Sequence, residues 1–215
     1  MPPSELISPN MHGLRVVTTP DYYHRQVRET PDSELVNLAE FIPSIILDIR
    51  YATAANLLGR PLYQAPKAFL RRPAAAALRA VQEELATVGI GLKVFDAYRP
   101  YSATVAFYDH VRDETYAAPP WRGSRHNRGC AVDVTLVSLS TGEELVMPTD
   151  FDDLTPAAHA DFSEVPALAQ LNRAVLRAVM SRHCFEQYPG EWWHFDHKCW
   201  ENQDLMDLEF ADLQA

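Results

Sequence analysis

The chain has 215 residues, with 29 acids against 19 Lys and Arg, for a formal charge of -10 at neutral pH. Binding to phosphate relies on clustered cations, so this balance argues against nucleic acid or an anionic membrane as the main partner. Hydrophobic residues make up 47% and charged ones 22%, a globular mix that at this length fits one large domain.

Prolines at 2, 3, 9, 20, 31 and 43 punctuate residues 1–44, which predicts an irregular N-terminal extension wrapped on a core. Residues 45–51 alternate, with Ile45, Leu47, Ile49 and Tyr51 on one side, as in a half-buried strand. Residues 52–72 read as a long loop. Pro73 suits the first turn of a helix carried on Leu78, Val81, Leu85 and Val88 and closed by Gly89. A strand over 92–96 leads to Ala97-Tyr98-Arg99-Pro100, and a second helix follows over about 102–112. Residues 131–137 are β-rich, with Thr141-Gly142 as the turn after them, and 147–164 form an acid-rich loop. A third helix spans about 166–182 on Leu168, Leu171, Val175, Leu176 and Val179. The aromatic run 192–195 suits a core strand. From Glu201 the tail carries five acids and no base, which predicts a solvated helix or extension over 201–215. Strands and helices mix without strict βαβ alternation, so the expected class is α+β, with residues 45–200 as the core domain.

Cys130, Cys184 and Cys199 are an odd number in a chain this long, so no disulfide framework is expected. No apolar run approaches the roughly 18 residues of a membrane span. The start, Met1 to Glu5, lacks a basic stretch followed by an apolar one, so no signal peptide is expected and the natural compartment is the cytoplasm.

Glycine is scarce, eight residues against sixteen prolines, yet Gly123, Gly129 and Gly190 fall in two short segments that also hold His126 and His194. The other histidines, His12, His24, His110, His159, His183 and His197, stand in polar surroundings without a matching acid or cysteine pattern. In Ser124-Arg125-His126-Asn127-Arg128-Gly129-Cys130-Ala131-Val132-Asp133, seven positions separate His126 from Asp133. An odd spacing puts two strand residues on opposite faces. Both reach one site only if His126 sits on a turn before the strand or a bulge shifts the register, and Gly129 permits either. Asp133 between two valines is costly to bury without a partner, and a cation is one.

In Pro189-Gly190-Glu191-Trp192-Trp193-His194-Phe195, a glutamate precedes a histidine by three residues among aromatics that exclude water. Two histidines and one carboxylate make a catalytic zinc set that leaves a fourth position open. Glu191 then has a separate role, taking a proton from the attacking water and passing it to the leaving amine. No cysteine forms a CxxC pair, so sulfur ligation is disfavoured. Arg99, at a strand end and fixed by Pro100, suits the oxyanion of a tetrahedral intermediate; paired with Asp96 at the surface, it would be merely structural.

The patterns at 96–100, 124–133 and 191–194, in this order, resemble the VanX-type D-alanyl-D-alanine dipeptidases, zinc enzymes of a wider group with D,D-carboxypeptidases and the hedgehog amino-terminal domain. The resemblance covers roughly residues 45–197. It implies a single domain with a small, mainly antiparallel central sheet flanked by helices and one zinc ion in a cleft on the sheet. It implies His126, Asp133 and His194 as ligands, Glu191 as general base and Arg99 as the group that stabilises the transition state. It also implies that Tyr51, Ser124 and Asp152 hold the dipeptide, with Asp152 on the free ammonium. Arg125 and Cys130 stand where the family carries small residues, which leaves the pocket's shape open. Two alternatives stay open at this point. One is a D,D-carboxypeptidase or endopeptidase acting on peptidoglycan stems; the other is a zinc-stabilised binding module without catalysis, which has no need of both Glu191 and Arg99.

Overall fold

A computed structural model describes residues 7–213; the segment Met1 to Glu5, with Pro2 and Pro3, lies outside it. In chain order the elements are β1 (Val16–Val17), α1 (Pro20–Glu29), β2 (Leu35–Asn37), α2 (Leu38–Phe41), β3 (Ile46–Leu47), β4 (Phe69–Arg71), α3 (Arg72–Ala86) and β5 (Ile90–Asp96). They continue as α4 (Tyr101–Val111), β6 (Ala131–Ser138), α5 (Ala167–Arg182), β7 (Phe185–Gln187), β8 (His194–His197) and β9 (Leu205–Met206). A five-stranded sheet runs β3-β5-β6-β8-β7, antiparallel throughout except for the β3–β5 pair. Two small ribbons, β1 with β9 and β2 with β4, stand beside it. This is an α+β architecture. No helix among the described residues is long and apolar enough to cross a membrane.

Several expected elements differ from what the sequence pattern predicts. Within 1–44 the chain forms α1, because Pro20 occupies the helix's first position, where its missing N–H costs nothing, and Pro31 falls just past the end. The prolines bracket a helix that buries Tyr22 and Tyr23. The strand expected over 45–51 shortens to β3 and then turns into a 3-10 helix, Arg50–Ala52, that buries Tyr51. In α5 the inward stripe is Ala169, Asn172, Arg173, Leu176, Val179 and Met180, while Leu168 and Leu171 face solvent. Likewise Val88 lies beyond the end of α3 and is exposed.

The tail is the largest difference. β9 pairs with β1, and Leu205, Met206, Leu208, Phe210 and Leu213 are all buried. Acids interleaved with these apolar residues mask their pattern in the sequence. The aromatic run is also shifted: Trp192 and Trp193 are buried but precede β8, and the Trp193 carbonyl accepts from the Val134 amide at 3.0 Å.

Along β6, successive side chains face opposite ways. Val132, Val134 and Leu136 join Leu92 and Val94 of β5, Leu78 and Val81 of α3, and Leu176 and Val179 of α5 in the main core. That leaves Asp133 on the other face.

Candidate metal centre and active site

The β6–β8 register sets Asp133 directly opposite His194. On its other flank, β5 pairs Val94 with Val134 but then Asp96 with Asp133, so Phe95 is an extra residue. That bulge turns Asp96 to the face that Asp133 occupies, away from the side of Val94. His126 arrives from the 3-10 turn His126–Arg128, which Gly129 closes at φ +67°. A Cβ on Gly129 would also lie 2.3 Å from Leu35 Cδ2, so both conformation and space require glycine. The turn before the strand is thus what reconciles the odd spacing of His126 and Asp133.

Side chains hold this turn in place. Ser124 Oγ accepts from the His126 amide at 3.2 Å, and the Ser124 amide donates to Asn127 Oδ1 at 2.8 Å. Asn127, fully buried, donates to the Arg99 carbonyl at 2.8 Å and to Thr104 of α4 at 2.7 Å.

Three ligand atoms converge. His126 Nε2 lies 3.1 Å from His194 Nδ1, and Asp133 Oδ1 lies 3.0 Å from His194 Nδ1 and 3.4 Å from His126 Nε2. The three donors all lie within 4.8 Å of one another. The far nitrogen of each ring is engaged: His126 Nδ1 donates to the Ala97 carbonyl at 2.6 Å, and His194 Nε2 donates to Asp196 Oδ1 at 3.1 Å. Each ring therefore turns a lone pair toward Asp133, and a cation is what satisfies two imidazoles and a carboxylate at such separations. The set fits a divalent metal. Burial opposes ionisation of Asp133, yet His126 and His194 hold it well below the usual carboxylate range.

Asp196 carries no signal in a search for ligands, but its place two residues after His194 on the same strand face is a legible clue. Its other oxygen accepts from Arg125 Nη1 at 2.7 Å, and Arg125 lies over the Trp200 ring at 4.5 Å. A carboxylate behind a ligating histidine fixes its ring and raises its basicity. Replacing Asp196 with Asn is therefore expected to weaken metal affinity by about 10- to 100-fold with the fold intact, read by metal titration against a competing chelator.

Arg99 combines both readings of its role. Its Nε and Nη2 donate to Asp96 Oδ2 at 2.9 and 2.7 Å, while Tyr63 donates to Asp96 Oδ1 at 2.7 Å. Arg99 is nonetheless buried, with its guanidinium 4.9 Å from the Tyr51 ring and Nη2 3.9 Å from Asp133. The sequence offered Asp96 as a surface partner of Arg99, whereas the structure buries the pair, and Tyr63 was not singled out by the sequence.

Glu191 lines the same cleft with its side chain 13% exposed and Oε2 3.7 Å from His194 Nδ1. Burial pushes its carboxyl up to about 8, with Asp133 and Asp152 adding to the shift against His194. Gly190 needs no unusual backbone; a Cβ there would press on Tyr188 at 2.8 Å. Across the cleft Tyr51 donates to both oxygens of Asp152, at 2.9 and 3.1 Å. Burial raises Asp152 to about 7 despite that bond, with Asp133 and Asp96 adding to the rise and Arg99 opposing it. The cleft holds about 450 Å³ and is lined by all eight residues singled out from the sequence.

The sequence pattern of the D-ala-D-ala dipeptidase family, peptidase M15, matches residues 31–213. The chain belongs to this family. It is a metallopeptidase. The D-alanyl-D-alanine dipeptidase of Escherichia coli (strain K12) is 35% identical over 164 residues, 76% of this chain and 84% of its own. That of Streptomyces coelicolor is 33% identical over 73% of this chain and 87% of its own, and that of Enterococcus faecalis 32% over 74% and 88%. The family match begins inside the N-terminal segment and runs through the buried tail, consistent with both packing into the fold.

Proposed function

We propose that this metallopeptidase hydrolyses the free dipeptide D-alanyl-D-alanine in the cytoplasm, with one zinc ion held by His126, Asp133 and His194. The observation that carries this reading is the convergence of those three donors with Glu191, Arg99 and Asp152 on one cleft. When bound, zinc supplies Lewis acidity toward the scissile carbonyl and acidifies water.

The chain's own groups do the rest. Glu191, beside the ligand set and among aromatics, accepts the proton of the attacking water and returns it to the leaving amine. Arg99 faces the negative charge that develops on the carbonyl oxygen. Asp96 and the Tyr51 ring hold its guanidinium in advance, so no reorganisation is required at the moment of reaction. Asp152, oriented by Tyr51, pairs with the substrate's ammonium, and Ser124 shapes the floor through the turn that carries His126. A cleft of this volume takes a dipeptide with room to spare.

The test compares D-Ala-D-Ala, L-Ala-L-Ala and N-acetyl-D-Ala-D-Ala, with and without a chelator. Cleavage of the free D,D-dipeptide alone, lost on chelation, is expected. Equal cleavage of the acetylated substrate would instead favour a carboxypeptidase acting on longer stems. The ammonium contact adds a pH signature. Asp152, raised to about 7, is charged only above that pH, so KM for D-Ala-D-Ala should climb as pH falls through neutrality. Asp152→Asn should raise KM by about 10- to 100-fold, as loss of a charged hydrogen bond does, and flatten that dependence.

A further inference from the structure

Two of the three cysteines meet behind the metal-binding face. Cys130, immediately before β6, and Cys199, in the 3-10 helix Lys198–Asn202 that follows β8, have their sulfurs 3.2 Å apart although 69 positions separate them. Both are free thiols, and the backbone already joins their segments: the His197 amide donates to the Cys130 carbonyl at 2.7 Å. A disulfide needs sulfurs about 2 Å apart, so the bond requires a shift of only about 1 Å.

The surroundings favour thiolate. Arg71 is fully buried and donates to the Ser33 carbonyl, to the Arg128 carbonyl at 2.9 Å and to Met206 Sδ at 3.1 Å. Among the described residues no carboxylate forms an ion pair with it, and both it and Arg128 act electrostatically on Cys130. The hydrogen bond from Cys130 holds the Cys199 thiol well below its ordinary range, while burial pushes Cys130 up. The two sulfurs thus differ in role. Cys199 is part-exposed and reachable from solvent, whereas Cys130 is fully buried behind it.

We propose that Cys130 and Cys199 form a redox-active pair that a peroxide converts to an intramolecular disulfide. The Cys199 thiolate attacks one peroxide oxygen, the O–O bond breaks, and a sulfenic acid forms as hydroxide leaves. The Cys130 sulfur then attacks the sulfenic sulfur, closing the S–S bond, and the displaced hydroxide departs as water with the Cys130 proton. Two thiols are oxidised and one peroxide is reduced to two waters. The pair ties the turn that carries His126 to the segment that carries Trp200, one wall of the cleft.

The experiment treats the full-length protein with one equivalent of hydrogen peroxide in a Cys184→Ser background, since Cys184 is exposed and able to cross-link separate molecules. Intact mass should fall by two hydrogens, both thiols should vanish in a denatured titration, and a non-reducing digest should yield one joined Cys130–Cys199 peptide. Dithiothreitol should restore both thiols. In Cys199→Ser the remaining Cys130 should stay reduced, whereas Cys130→Ala should leave a sulfenic acid on Cys199 that dimedone traps. Oxygen added to Cys199 with no joined peptide in the two-cysteine protein, or two thiols left intact under these conditions, would overturn the proposal.

Discussion

Glu191→Gln is expected to lower kcat/KM for D-Ala-D-Ala by about 10³-fold, the middle of the range for a positioned general base, while metal content stays near that of the parent. The amide keeps the size and hydrogen-bonding reach of the carboxyl but cannot accept the water's proton. Glu191 is not among the three converging ligand atoms, and its nearest oxygen stands 3.7 Å from His194 Nδ1, so the metal set should survive the change. The loss should fall on kcat, because the proton moves in the transition state and not on binding. Steady-state kinetics beside metal analysis on the same sample decide it. A variant with parental kcat and full metal would remove Glu191 from the chemistry.

Asp133→Ala is expected to empty the metal centre and to cost at least about 10³-fold in turnover, since Lewis-acid assistance is worth several kcal/mol and each ~1.4 kcal/mol is tenfold. Without this carboxylate, His126 Nε2 and His194 Nδ1 face each other at 3.1 Å with no anion between them. The fold should hold, because Arg99 keeps its closer partner Asp96 at 2.7 Å and β6 keeps its ladder to β8. Circular dichroism together with metal content separates site loss from unfolding. The conservative Asp133→Asn keeps the shape and should fail in the same way, since it lacks the charge. Stoichiometric metal and normal turnover in either variant would place the centre elsewhere.

The candidate site was largely legible in the sequence because it depends on residue type and short spacing. His126, Asp133, Glu191 and His194 lie in two compact segments, and in a glycine-poor chain the glycines mark both. Helices α3 and α5 were legible for a related reason: an apolar repeat is local, so periodicity reports a helix without knowledge of what it packs against, although Leu168 and Leu171 of the α5 repeat face solvent. Elements whose partners are distant in sequence were not. β9 is two residues long and exists through its pairing with β1, and the tail's buried residues read as solvated because acids stand between them. The prolines of residues 1–44 marked the ends of α1 and concealed its existence.

By itself, the sequence singled out the groups that meet in the cleft: two imidazoles, two carboxylates and an arginine, with a glycine to bend the chain between the first histidine and its aspartate. The tertiary structure alone decided how they are held. The Asp133–His194 register, the pairing across the Phe95 bulge that sets Asp96 beside Asp133, and the meeting of Cys130 with Cys199 are all contacts between separate strands and turns. Such contacts depend on sheet register. A shift of one residue exchanges the two faces of a strand, and no single segment carries that information on its own.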